Sequence, residues 1–259
     1  MLEKITPSKP VPKKIYKERF GHLRRRLFLL QRAYWECELA SVVVVEGWDG
    51  SGKGKVVNKI TERLEPRAFK LHFVRPPRSH EALMPAMWRF WMQLPNYREM
   101  GLFVPSWYAG FVEQRVDPGI DEVEWARTWR RVNDFERALA EDRYVVVKVF
   151  LHLDEETRGR RLEELSDDPE TGWKVDDRVR KAHDRYQDYR AVLEDVLVRT
   201  ESEWAPWTIV EASDSRAARI RTAEVLAARL TAGLERHGRL DVLDQLAEDT
   251  ETPDSTGGA

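Results

Sequence analysis

The chain has a single cysteine, Cys37, which excludes an intrachain disulfide and any cysteine-cluster metal site. Long apolar runs are missing as well. Nothing approaches the roughly 18 consecutive apolar residues that cross a bilayer. The first segment, MLEKITPSKPVPKK, lacks the apolar stretch and small-residue cleavage site of a secretory leader. A cytoplasmic protein is expected. Net charge is almost absent too, at −2 over 259 residues, and says little about partners by itself; neither nucleic acid nor a membrane is expected among them. What charge there is lies unevenly. Residues 1–36 carry ten Lys/Arg against three Asp/Glu, and the last twenty residues are acidic. With 42% hydrophobic and 34% charged residues and a mean hydropathy of −0.59, the chain reads as a charge-rich globular protein. Its length suits one large domain, or one domain carrying an insertion.

One residue type is missing where it would be diagnostic. The stretch Ser41 to Lys59, SVVVVEGWDGSGKGKVVNK, reads as a buried parallel strand, a glycine-rich turn and a helix beginning near Lys53. Val56, Val57, Ile60 and Leu64 recur at helical spacing, giving that helix one apolar face. Gly47, Gly50, Gly52 and Gly54 let the backbone wrap an anion with successive N–H groups inward, around Ser51. The helix N-terminus adds partial positive charge. Lys53 holds the lysine position of G-x-x-x-x-G-K and would neutralise phosphate oxygens. The Ser or Thr that usually follows, and that holds Mg²⁺, is replaced by Gly54, with a second lysine, Lys55, after it. A metal donor has to come from elsewhere, and Asp49 within the loop supplies a carboxylate.

The rest of the chain alternates in the same way. Residues 1–14, with prolines at 7, 10 and 12, predict an extended or mobile arm. A helix follows from Tyr16, with Phe20, Leu23, Leu27, Leu30 and Tyr34 as its stripe. Ala68 to Val74 predicts a second strand, Gly101 to Phe103 leads into a third, Tyr144 to Leu153 is a strong buried fourth, and the TIVEAS segment after Trp207 is a fifth. Trp125, Trp129, Val132, Phe135 and Leu139 mark a helix before the fourth strand, and Ser215 to Leu234 a last one. Between Glu155 and about Thr200 charge is dense, as expected of helices only partly committed to the core, placed where small-molecule kinases often carry a closing lid. The fold class expected is α/β: a P-loop kinase-like parallel sheet with helices on both faces and a helical lid.

These residues together resemble the polyphosphate kinase 2 family from about Tyr16 to Leu234. Its loop pattern, E-G-x-D-x-x-G-K-G, stands here as Glu46 to Gly54. Further agreement lies in HFVRPP at 72–77, WRFW at 88–91, SWY at 106–108, Asn133 with Phe135 and Glu136, KVFLHL at 148–153, Arg161, Trp173-Lys174, Tyr189, and Ala205-Pro206-Trp207. The resemblance implies phosphoryl transfer between inorganic polyphosphate and a nucleotide (ADP/ATP, GDP/GTP or AMP) with Mg²⁺ or Mn²⁺. It carries Lys53 over as phosphate holder, Asp49 as metal ligand and orienter, and Arg161 as clamp on the transferring group, and it implies a homo-oligomer. The domain division that follows is a mobile arm over 1–15, the P-loop domain over 16–239 with its lid at about 155–200, and a disordered acidic tail over 240–259.

The departures are concentrated in one place. Where the family pattern reads F-D-R-S-W-Y-x-R and then E-R-V, this chain has Phe103-Val104-Pro105-Ser106-Trp107-Tyr108-Ala109-Gly110 and then Gln114-Arg115-Val116. An aspartate, two arginines and a glutamate are thereby lost, including the carboxylate at the strand end. Glu113, Asp117 and Asp154 are candidates to replace it, Glu113 first; acids at strand ends are more often helix caps. Two readings stay open. One is a polyphosphate:nucleotide phosphotransferase acting on a nucleoside mono- or diphosphate, at full or weakened rate. The other is a degenerate relative that binds polyphosphate or nucleotide and acts as a partner or regulator. Metal-dependent turnover separates them.

Overall fold

Four adjacent valines bury both faces of a strand only in a sheet interior, and β1 (Ala40–Gly47) lies there in the computed structural model, which describes residues 1–116 and 120–249. β2 (Phe69–His72), β3 (Met100–Phe103), β4 (Tyr144–His152) and β5 (Trp207–Glu211) complete a five-stranded parallel sheet of order β2-β3-β1-β4-β5. Val44 stands opposite Phe103 on one side and Lys148 on the other. The chain leaves β1 for the edge, returns through β3, and then crosses to β4. The order therefore reverses at β1, and the carboxyl ends of β1 and its neighbours form the crevice where ligands bind in such sheets.

Helices cover both faces, as β4 shows by its alternation. A β-carbon on Gly233 of α9 (Ser215–Arg236) would lie 2.4 Å from Val145. Lys148, of the opposite parity, reaches Glu136 on α5 (Glu122–Glu141). α1 (Lys13–Glu36) and α10 (Leu240–Asp249) pack on the α9 side. Aspartates start four of the helices. Asp121, Asp154, Asp176 and Asp214 accept the N–H of Glu124, Thr157, Val179 and Ala217, at the heads of α5, α6 (Glu155–Asp167), α7 (Asp177–Asp184) and α9. Asp154 is thus a helix cap, also accepting the Thr157 hydroxyl at 2.9 Å. α2 (Lys53–Thr61) starts where its sequence predicts; Leu64 lies beyond its end but is buried all the same.

The described residues depart from the expected domain division near both of its ends. Residues 1–15 are not a free arm: Leu2 is buried, its N–H donates to Glu194, the Ser8 N–H donates to Glu211 at 2.8 Å, and α1 already begins at Lys13. Of the expected tail, residues 240–249 form α10, with Leu243 and Leu246 buried, and residues 250–259 lie outside the described residues. Composition hid both, because the anchoring partners are about two hundred residues away in sequence or are two leucines amid acids. α3 (Trp88–Trp91) and α4 (Ala109–Val116) also form. In the aromatic segment Phe90 is core, whereas Trp91 is half exposed against Phe135. The charged stretch 155–199 folds as α6, α7 and α8 (Tyr186–Arg199). α6 and α7 enclose a small core of their own, Leu162, Val175 and Val179, while Val196 and Leu197 of α8 join the main core.

Candidate active site

The loop between β1 and α2 depends on two glycines in particular. Gly47 has φ 142°, and a β-carbon there would lie 2.4 Å from the Leu151 carbonyl oxygen, inside any tolerable contact. Gly52 turns the chain into α2 with φ 85° as its N-cap, so no side chain closes the first turn of that helix. Ser51 is buried and its hydroxyl has no hydrogen-bond partner among the described residues. Lys53 Nζ donates to the Gly47 carbonyl at 2.6 Å and the Trp48 carbonyl at 3.0 Å, with Asp49 at 3.9 Å. An open helix start, an unpartnered hydroxyl and an ammonium resting on carbonyls form a cradle for an anion.

Two buried carboxylates hold the segment after β3. Glu46, at the end of β1, accepts the Ser106 N–H at 2.7 Å and the Ser106 hydroxyl at 2.6 Å. Burial raises its pKa above the ordinary glutamate value, and the two Ser106 bonds oppose that rise. Glu136 accepts the Tyr108 hydroxyl at 2.6 Å, Trp107 Nε1–H at 3.2 Å and Lys148 Nζ at 2.7 Å, with both charged side chains at 0% exposure. Burial lowers the Lys148 pKa while Glu136 holds its proton on. Lys148 also donates to the Thr200 carbonyl at 2.6 Å. Ser106, Trp107 and Tyr108 are thus pinned from two sides, whereas their charged neighbours in the resembled pattern are absent.

In front of these groups lies a cleft of about 880 Å³, lined by Glu46 to Asp49, Lys53, Phe73 to Pro77, Arg89, Pro105 to Tyr108, Glu113, Arg158 and Arg178. Pro105 and Gly110 both line it where the resembled pattern carries arginine. Besides Arg75 and Arg89, two guanidinium groups come from the opposite wall. Arg178 of α7 donates to Glu113 of α4 at 2.8 Å and stands 3.6 Å from Asp49, bridging three elements across the opening. Arg158 of α6 lies 4.9 Å over the Trp48 ring. Trp48 in turn donates Nε1–H to His152 Nδ1 at 3.2 Å and stacks on Tyr186 at 4.5 Å. Burial lowers the His152 pKa, which keeps the imidazole neutral and able to accept.

The structure brings Asp49, Lys53 and the loop glycines together as their spacing predicts. Arg161 meets the same loop from α6, outside the cleft lining: it donates to the Gly50 carbonyl at 3.2 Å and the Ser213 carbonyl at 2.6 Å, bracing the loop against the segment after β5. Lys55 and Gly54 are exposed on α2. Val104 is buried and donates its N–H to the His72 carbonyl. Of the candidate replacement acids, Glu113 reaches the cleft, Asp154 caps α6, and Asp117 lies outside the described residues. Among the described residues no cluster of three or more His, Cys, Asp or Glu could hold a metal, and no helix is long and apolar enough to cross a membrane. Sequence reasoning missed Arg158 and Arg178. Arg158 could have been found by its spacing with Leu162 and Leu165, which puts it on the inward face of α6.

The pattern of one known family, Polyphosphate kinase 2, matches residues 11–237. The chain is 32% identical over 221 residues to a polyphosphate:AMP phosphotransferase of Pseudomonas aeruginosa, covering 85% of this chain and 45% of that one. It is 30% identical over 201 residues to an AMP/ADP-polyphosphate phosphotransferase of Meiothermus ruber, covering 76% and 74%. The chain thus spans less than half the length of the Pseudomonas relative. The crystal structure of Polyphosphate Kinase 2 from Arthrobacter aurescens superposes with a TM-score of 0.85 at 25% identity, over 90% of this chain and 85% of that one. Sheet order, the glycine loop between β1 and α2, and a match running through nearly every element agree, and the chain belongs to the polyphosphate kinase 2 family.

Proposed function

We propose that this chain transfers a phosphoryl group between inorganic polyphosphate and a nucleoside mono- or diphosphate. The observation that carries the reading is the cradle of Ser51, Gly52 and Lys53 at the carboxyl end of β1, opening on a cleft whose far wall supplies guanidinium groups. Relatives named as polyphosphate phosphotransferases of AMP and ADP support the choice of substrates. A phosphate oxygen of the acceptor nucleotide forms the new P–O bond as the P–O bond to the polyphosphate chain breaks, and the departing oxygen keeps the electron pair. Such a transition state spreads charge over three equatorial oxygens, so the protein's work is positioning and charge neutralisation. Lys53 would exchange the Gly47 and Trp48 carbonyls for phosphate oxygens. Arg161, through Gly50, would keep the loop in register.

Two protein carboxylates, with substrate phosphates completing the shell, would hold a divalent cation once Arg178 gives way. Asp49 and Glu113 both approach Arg178 Nη1, so two hard carboxylates already face one positive centre. Mg²⁺ or Mn²⁺ there would neutralise charge on the transferring group. α6 and α7 would serve as the lid, with Arg178 as its tie to the loop and to α4. A second reading has one observation in its favour. The end of β3 carries Val104 and Pro105 in place of a carboxylate and a guanidinium, and each lost preorganised charge contact costs on the order of 10²–10³ in rate. A chain slowed that far would bind polyphosphate or nucleotide as a partner or regulator. Lys53→Ala tests what both readings share. Tripolyphosphate and ADP binding, measured by calorimetry, should be lost; affinity retained in the variant would refute the loop assignment.

A further inference from the structure

The other cations that line the cleft are either partnered or, like Arg75, exposed to solvent. Lys53 rests on two carbonyls, Arg178 on Glu113, and Arg89 stands 3.7 Å from Glu81. Arg158 is the exception. It is 1% exposed, its Nε has no hydrogen-bond partner, and among the described residues no carboxylate lies within ion-pair distance of it. Its guanidinium donates to one carbonyl, that of Ala182 at 2.9 Å, and lies over the Trp48 ring. A cation buried with so few acceptors is costly to keep. Burial pulls its pKa down, and the field of Asp49 opposes this only partly. Such a group persists where something brings it an anion. The residue that lines the cleft beside it, Trp48, belongs to the phosphate loop itself.

We propose that Arg158 is an anion-binding residue of this cleft, receiving a phosphate oxyanion of the substrate on the guanidinium that no carboxylate of the chain meets. The proposal rests on the reading of the cleft as a phosphoryl-transfer site and adds to it a residue that the loop pattern does not contain. Trp48 holds the guanidinium plane from one side and the Ala182 carbonyl holds one end. Its unpartnered edge is then available for the charge-assisted bonds an arginine gives a phosphate. Arg161, already bound to two carbonyls, has less to offer such a ligand.

The test is a comparison of the full chain with Arg158→Gln and Arg158→Lys, titrated separately with tripolyphosphate and with ADP, alongside thermal melting with and without each anion. Arg158→Gln removes a buried unpaired charge. Its melting temperature without ligand should equal or exceed that of the wild type, while affinity for one or both anions falls at least about tenfold. A loss confined to tripolyphosphate would place the polyphosphate end at Arg158, and a loss confined to ADP would place the nucleotide end there. Arg158→Lys, which keeps the charge and loses the planar fork, should bind more weakly than wild type at an unchanged melting temperature; this variant decides if the glutamine substitution does not fold. Wild-type affinities in the variants would overturn the proposal. So would a lower melting temperature with an unchanged anion-induced rise, the signature of a merely structural arginine, and so would a wild-type protein that binds neither anion. Anion binding that depends on Arg158, without turnover, would uphold the proposal and overturn the catalytic reading instead.

Discussion

Replacing Lys148 by methionine removes one half of the buried pair behind the cleft. The Glu136 carboxylate would be left with two neutral donors, Tyr108 and Trp107, at 0% exposure. Breaking a buried pair on one side costs about 3–5 kcal/mol, mostly the penalty of the stranded charge. In a chain of this size each kcal/mol is worth roughly 2–4 °C, so the melting temperature of Lys148→Met should fall by about 6–20 °C. The loss should be smaller when the partner is neutralised as well, because an apolar replacement of both groups strands nothing. Urea unfolding of Lys148→Met, Glu136→Gln and the double variant measures the coupling directly. A single variant within about 1 kcal/mol of wild type, or a double variant destabilised by the sum of the singles, would refute the assignment of these charges to one pair. Because Glu136 also fixes Trp107 and Tyr108, the same variant should loosen the wall of the cleft.

Three further outcomes follow from the site. Gly47→Ala should abolish anion binding or folding, since its β-carbon would meet the Leu151 carbonyl at 2.4 Å; wild-type affinity and stability would contradict the described loop. Glu46 carries a raised pKa in the folded protein, so its stabilising contribution is complete below the unfolded value and is lost as pH rises through the folded one. Glu46→Gln has no such proton to lose, and its melting temperature should gain on wild type as pH rises from about 4.5 to 7. A difference independent of pH would refute the burial of that carboxyl. Val104→Asp combined with Pro105→Arg should raise turnover at least tenfold, worth about 1.4 kcal/mol. Unchanged turnover would show that the chain supplies those charges from elsewhere, Glu113 on α4 and the arginines of α6 and α7 being the groups in place.

The parts of the molecule legible in the sequence are those whose information is local. Four valines, a glycine turn and a helix face written at 56, 57 and 60 specify β1, the loop and α2 without reference to anything distant. What stayed hidden depends on partners far along the chain. Leu2 and Ser8 are held by Glu194 and Glu211, and no local feature of a proline-rich segment announces that. Lys148 stood in plain view as a charge inside a strand of valines, which calls for a buried partner; its partner on α5 became apparent only in the folded chain. Arg161 and Arg158 are one turn apart on the same helix. Motif resemblance selects the first, while burial and absence of a carboxylate select the second. Asp154 shows the opposite case, where the general preference for a cap over a ligand describes the residue correctly.

Direct measurement of phosphoryl transfer tests the account at its centre. Purified protein would be incubated with long-chain polyphosphate and Mg²⁺ or Mn²⁺, with AMP, ADP, GMP and GDP in separate reactions and Lys53→Ala as control. The account predicts metal-dependent phosphorylation of at least one of these nucleotides and its loss in the control. No turnover with any nucleotide, by a protein that still binds tripolyphosphate, would contradict the catalytic claim and leave a phosphate-binding protein in its place.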